Sequence, residues 1–332
     1  MKILVIQTAF IGDVILGTAV VEKLAAFYPD AEIDFLVRKG NESLLQNNPH
    51  INEVLVWNKK EGKLANLWKM MRKVRSKRYD YIFNLHRFAS SGFITAFSGA
   101  KNKVGFDKNP LSFFYNTKVR HIIGSNYSNY LHEVDRNNLL IESITDNKRV
   151  GPKLYPSDKD VELVKKYQSV PYICIAPTSV WFTKQWAKEK WIELLNSVDR
   201  SYTIYLLGAP GDGEVCNEII SASYNKNVQN LCGQLSFLQS AALMKGAVMN
   251  YVNDSAPMHI ASAMDAPVTA IYCSTVPYFG FGPLSSDSFV IETKESLDCK
   301  PCGLHGHKAC PKEHFKCAYT IEIKEVLSVL PK

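Results

Sequence analysis

An apolar run from Ala247 to Val252 leads into Asn253-Asp254-Ser255-Ala256-Pro257-Met258-His259, and a second apolar run, Val268–Tyr272, follows about fifteen residues later. The piece between them reads as a short helix, with Ser255 at the N-cap and Pro257 in the first turn. The order is therefore strand, polar turn, helix N-terminus, helix, strand. In such a unit the turn lies at the carboxyl end of a parallel strand, where open α/β sheets bind their ligands. The N–H groups and positive dipole end of the helix suit a phosphate, so a bound nucleotide diphosphate is the first expectation.

At 332 residues the chain exceeds the usual size of one compact core, and two domains are expected. A hydrophobic content of 46% with 11% aromatics supplies material for two ordinary globular cores. No apolar run approaches the roughly 18–20 residues of a membrane-spanning helix. Near the N-terminus Asp13 interrupts the apolar stretch, and Ile3–Ile6 reads as a buried parallel strand rather than part of a leader. A cytoplasmic protein is expected. The net charge of +7 does not by itself imply nucleic acid, and no such partner is expected. Its distribution is more informative. Lys59, Lys60, Lys63, Lys69, Arg72, Lys73, Arg75, Lys77 and Arg78 crowd one segment, interleaved with Leu64, Leu67, Trp68, Met70, Met71 and Val74. This is a basic amphipathic helix. Two readings fit it: a solvated helix packed on its own sheet, or contact of 59–78 with an anionic membrane surface or a phosphorylated acceptor.

Along the chain, short apolar runs alternate with helical patterns. Strands are expected at Ile3–Gln7, Ile33–Val37, Val54–Trp57, Tyr81–Asn84 and Val104–Phe106, with a helix over Asp13–Phe27. The stretch from Asn109 to Gly151 reads poorly, apart from a helix near Val134–Ile144. A linker near Leu154–Ser157 opens a second series. It comprises helix Asp158–Gln168, strand Tyr172–Ala176, helix Lys188–Val198, strand Thr203–Leu207, helices Gly213–Ser223 and Phe237–Lys245, and the unit described first. Strands separated by helices predict parallel, doubly wound sheets. The expected organisation is an α/β chain of two Rossmann-like domains, 1–155 and 156–332, with a cleft between them. The closing helix, 321–330, can cap either domain.

Three regions carry candidate chemistry. The first turn, Gln7-Thr8-Ala9-Phe10-Ile11-Gly12-Asp13, is neither G-x-G-x-x-G nor a P-loop, which disfavours a dinucleotide-dependent dehydrogenase. Gly12 permits a tight turn. Asp13 is either a helix-start carboxylate or a general base, and its place at a helix N-terminus predicts an ionised, weakly basic group. In the second region, Thr178 and Ser179 offer hydroxyls and N–H groups, and Lys184 offers a positive charge for a departing diphosphate. The third is the 253–259 turn, where His259 is either a phosphate contact or a packed side chain and Met258 packs against a base or the core. Separately, Cys299, Cys302, Cys310 and Cys317 form C-x2-C-x7-C-x6-C. That spacing is compatible with a structural zinc site, the competing reading being reduced packing cysteines.

The same residues carry a resemblance. Ile6–Ile15 with its Gly12-Asp13, Pro177-Thr178-Ser179 through Lys184-Gln185-Trp186, Leu231-Cys232-Gly233-Gln234-Leu235-Ser236 and Asn253–His259 resemble the motifs of glycosyltransferase family 9, the lipopolysaccharide heptosyltransferases. Ala256 stands where the family usually has Gly. The resemblance implies a GT-B fold with an acceptor domain followed by a donor domain. It also implies inverting transfer of heptose from ADP-L-glycero-β-D-manno-heptose to the inner core of lipopolysaccharide at the cytoplasmic face of the inner membrane. Asp13 then falls where the family has its base and Lys184 where it stabilises the leaving ADP. Thr178, Ser179, Asp254, Ser255, Ala256, Met258 and His259 fall on the donor side, and Thr8 and Gly12 on the acceptor-side loop. None of the three candidate regions holds an Asp-x-Asp pair to bind a metal on the diphosphate, so no cofactor is expected. The alternatives are a related transferase using another nucleotide-sugar and a non-catalytic nucleotide-sugar-binding protein.

Overall fold

The computed structural model describes residues 1–59 and 61–331 and separates into two units. Lys60, part of the basic segment, lies outside the described residues. The first unit comprises Met1–Gly124 and Tyr130–Tyr155. Its strands are β1 (Lys2–Ile6), β2 (Glu32–Arg38), β3 (Glu53–Trp57), β4 (Tyr81–Asn84), β5 (Asn102–Phe106) and β6 (Thr117–Val119). They form one parallel sheet in the order β3-β2-β1-β4-β5-β6. Its helices are α1 (Ile11–Phe27), α2 (Lys63–Lys77), α3 (Ala89–Phe97) and α4 (Glu133–Leu139). Ile3 to Ile6 are wholly buried because the central strand of a parallel sheet is covered on both faces, so it shows no polar alternation.

The second unit runs from Pro156 onward and also takes in Ser125–Asn129. Its strands β7 (Tyr172–Ala176), β8 (Thr203–Leu206), β9 (Val228–Asn230), β10 (Met249–Asn253), β11 (Val268–Tyr272) and β12 (Ser288–Glu292) form a second parallel sheet, ordered β12-β11-β10-β7-β8-β9. Read from the other edge, this is the strand order of the first sheet. Helices α5 (Asp158–Val164), α6 (Lys188–Ser197), α7 (Gly213–Ser221), α8 (Phe237–Lys245), α9 (Ala256–Ala263), α10 (Lys316–Tyr319) and α11 (Ile323–Ser328) complete it. In each sheet the winding reverses between two central strands, β1 and β4 in one, β7 and β10 in the other. The carboxyl ends of those pairs are where such sheets take ligands.

Several details differ from the sequence reading. Helix α1 begins at Ile11 rather than Asp13, because the Asp13 carboxylate accepts the Phe10 N–H at 3.1 Å and so closes the first turn ahead of itself. Gly12 is the second helical residue and has no left-handed backbone, so it does not make the turn. The closing helix contributes to the core of the second unit. Ile321, Ile323 and Val326 join Trp191, Leu194 and Leu195 of α6 in the second core. Just upstream, the indole N–H of Trp186 donates to the carbonyl of Ala318 at 3.0 Å. Among the described residues no helix is long and apolar enough to cross a membrane.

Candidate active site

In the first unit the loops after β1 and β4 meet. Thr8 Oγ1 lies 3.1 Å from His86 Nδ1, and Lys59, two residues past β3, donates to both the Thr8 carbonyl (2.8 Å) and its hydroxyl (3.0 Å). Burial, together with Lys59, Arg87 and Arg38, pushes His86 down to about 3, so it stays neutral. Burial and the Arg38 and Lys63 charges bring Lys59 down to about 8. The ends of β2, β3 and β4 thus gather Arg38, Lys59 and Arg87 around one polar rim, a concentration of cations that suits an anionic ligand.

Asp13 follows this rim on α1. Its carboxyl is raised from 3.8 to about 6, first by burial and next by the charge of Glu133 at the start of α4. The N–H bonds of Phe10 and of Asp13 itself, and Arg87, act the other way. Their effect is outweighed. A helix-end interaction is worth about 0.3–1 kcal/mol, whereas this rise corresponds to roughly 3 kcal/mol. Sequence position alone predicted a weakly basic carboxylate; burial and Glu133 make it a stronger base. Glu133 is itself buried and held by Arg136, whose Nε and Nη2 reach it at 2.8 and 2.7 Å.

In the second unit the loops after β7 and β10 converge. Lys184 Nζ pairs with the Asp254 carboxylate at 2.6 Å, with the side chains 16% and 7% exposed, and the same oxygen accepts from Thr275 Oγ1 at 2.6 Å. The buried side chain of Asn253 accepts the Trp186 N–H at 2.8 Å and donates to the carbonyls of Ala176 (3.3 Å) and Thr178 (3.4 Å). Gln185 holds the Ser179 carbonyl at 2.7 Å. The polar turn of one strand is thereby stitched to the Thr178–Lys184 loop of its neighbour. Thr178 and Ser179 are partly exposed on that loop. Ser255 occupies the N-cap of α9, but its hydroxyl leans back on the Asn253 carbonyl at 3.4 Å and makes no cap bond. Ala256 is the first residue of α9. His259 is buried on that helix, its ring 6.3 Å from that of Phe281. Met258 faces inward with no exposed surface, and the Tyr272 hydroxyl lies against its sulfur, so it packs α9 onto β11.

A sequence model of glycosyltransferase family 9 (heptosyltransferase) matches residues 67–311. The chain belongs to glycosyltransferase family 9. Family membership makes it a transferase, and its fold class is GT-B, two Rossmann-like domains. It is 27% identical over 278 residues to lipopolysaccharide heptosyltransferase 3 of Escherichia coli, covering 80% of this chain and 82% of that one. Among solved structures it is similar to a glycosyl transferase family 9 protein from Veillonella parvula DSM 2008, with a TM-score of 0.85, 21% identity, and coverage of 99% of this chain and 95% of that one. It is likewise similar to the E. coli ADP-heptose lps heptosyltransferase II, with a TM-score of 0.77, 24% identity, and coverage of 99% and 98%.

In this family 9 chain the cysteine-rich tail packs against the Lys184 loop. Thr183 exchanges bonds with His307 (N–H to carbonyl 3.1 Å; His307 N–H to Oγ1 2.8 Å) and its Oγ1 accepts from Ser274 at 3.0 Å. Gly306, at φ +77°, makes the approach possible, since a Cβ there would stand 3.0 Å from Thr183 Oγ1 and 3.2 Å from Lys184 Cγ. The four tail cysteines are free thiols; Cys317 is buried in the core, and Cys299 Sγ lies 3.7 Å from His314 Nε2. Among the described residues no three His, Cys, Asp or Glu side chains converge as metal ligands. The sequence reading does not single out Glu133, His86, Arg87 and Thr275, and it takes Lys59 only as part of the basic segment 59–78. His86-Arg87 follows directly on an apolar strand, a position from which they could have been singled out.

Proposed function

We propose that this chain transfers heptose, with inversion, from ADP-L-glycero-β-D-manno-heptose to the inner core of lipopolysaccharide on the cytoplasmic side of the inner membrane. The observation that carries the reading is the placement of the Asp13 carboxylate at the head of α1, directly after the loop whose Thr8 is held by Lys59 and His86; its raised carboxyl, about 6, agrees with it. A general base works best when its pKa lies near the working pH, and an acceptor hydroxyl has to lose a proton as its oxygen attacks the anomeric carbon. Inverting transfer is a single displacement through an oxocarbenium-like state, so one base and a stabilised leaving group suffice. Arg38, Lys59 and Arg87 suit an anionic inner-core acceptor.

On the donor side Lys184 stabilises the departing diphosphate. Asp254, being anionic, would repel a phosphate, so its part is to hold Lys184 in place through the 2.6 Å pair. Thr178 and Ser179 supply donors from the adjoining loop. The names of the relatives, lipopolysaccharide heptosyltransferase and ADP-heptose lps heptosyltransferase, support both substrates. Calorimetric titration with ADP, UDP and GDP tests the donor assignment. Selective binding of ADP, weakened in Lys184→Met, is expected; preference for UDP or GDP would replace the heptose donor by another nucleotide-sugar.

A further inference from the structure

Helix α2 buries Met70, Met71 and Val74, yet leaves Leu64 72% and Trp68 52% exposed along the edge that borders α3. Trp68 begins a ribbon of rings. It meets Phe93 of α3 edge-on at 5.3 Å, Phe93 meets Phe97 at 4.8 Å, Phe97 meets Phe114 at 5.6 Å, and Phe114 meets Phe113 at 4.3 Å. The last two lie on the 3-10 turn Ser112–Phe114, and Phe97, Phe113 and Phe114 are all exposed. Scattered surface aromatics need no explanation, but a contiguous apolar strip across three elements marks an interaction site.

The charges beside the strip select the partner. Helix α2 contains no acidic residue. Lys73 and Lys77 are engaged by Glu53 and Asp34, whereas Lys69, Arg72 and Arg75 pair with no carboxylate among the described residues. Arg72 and Arg75 stand four and seven positions after Trp68, on the same side of the helix as the ribbon. Arg75 donates to the Phe97 carbonyl at 3.2 Å, which sets its guanidinium at the edge of the rings. A second copy of this face would bring like charges together. Aromatic rings flanked by unpaired cations match a bilayer interface, with rings at headgroup depth and cations on lipid phosphates.

We infer that this face of the first unit, Trp68–Phe93–Phe97–Phe114–Phe113 with Lys69, Arg72 and Arg75, seats on an anionic lipid bilayer. The inference does not depend on the donor or acceptor sugar. The test is co-sedimentation of the full chain with phosphatidylethanolamine–phosphatidylglycerol vesicles and with phosphatidylcholine vesicles. Binding to the anionic vesicles that weakens with salt is expected. Phe113→Ser/Phe114→Ser and Lys69→Glu/Arg72→Glu are each expected to cut the partition coefficient at least about tenfold, with ADP binding unchanged. The charge pair lies on the exposed side of α2, so that variant stays informative if the aromatic one folds poorly. Wild-type protein left in the supernatant overturns the inference, as does a charge variant that partitions like wild type. Loss of a concentration-dependent oligomer in these variants, with lipid binding intact, would assign the face to a protein partner and overturn it equally.

Discussion

Replacing Asp13 by asparagine is expected to make the protein more stable while nearly abolishing transfer. The folded state raises the Asp13 carboxyl from 3.8 to about 6, so it prefers the neutral form. Between those values the folded chain holds a proton that the unfolded chain has released, and stability therefore falls as pH rises through this window. Above about 6 the full penalty, roughly 3 kcal/mol, is present. An amide carries no charge to desolvate and no repulsion toward Glu133, yet its oxygen can still accept the Phe10 N–H. Asp13→Asn should accordingly gain up to about 3 kcal/mol at pH near 8, and the gain should vanish by about pH 4. Denaturant unfolding of both proteins across this range measures it, alongside ADP release with acceptor, which should fall by about 10²–10⁴-fold. A variant no more stable than wild type at pH near 8, or a gain that persists unchanged to about pH 4, would refute the reasoning.

Three further predictions follow from the same geometry. Glu133→Gln removes the second cause of the raised Asp13 pKa, so the acid limb of the kcat/KM profile, expected near 6 in wild type, should move to lower pH. Lys184→Met should weaken ADP binding by roughly 10–100-fold, while Asp254→Asn, which frees Lys184 of its counter-charge, should leave ADP binding equal or tighter and lower turnover; calorimetry and steady-state kinetics separate the two. Gly306→Ala, at a left-handed position pressed against Thr183 and Lys184, should destabilise the protein by about 1–3 kcal/mol and weaken ADP binding through the displaced loop, read by thermal unfolding and titration.

Much of this was legible in the sequence where burial is uniform. Strands β1, β4, β7 and β11 are short apolar runs, and the 253–259 turn announced its own strand–turn–helix. The edges were not legible. β6, β9 and β12 are short or half-exposed and carry little apolar signal, and α3 opens with Ala-Ser-Ser-Gly, which reads as loop. In the candidate site Asp13 and Lys184 could be named, but their surroundings could not. The basicity of Asp13 depends on Glu133, far away in sequence, and on burial by other elements. The sequence reading puts Lys184 and Asp254 on the same donor side but does not show that they form an ion pair. Likewise nothing in the spacing of the tail showed that it supports the Thr183–Lys184 loop through Gly306 and His307.

The most direct test of the central claim is turnover of ADP-L-glycero-β-D-manno-heptose on lipopolysaccharide core lacking heptose, with ADP release and the acceptor's mass followed together. The account predicts one ADP released per heptose gained by the core, with both lost in Asp13→Asn. ADP release without mass gain, or transfer that survives in Asp13→Asn, would contradict it.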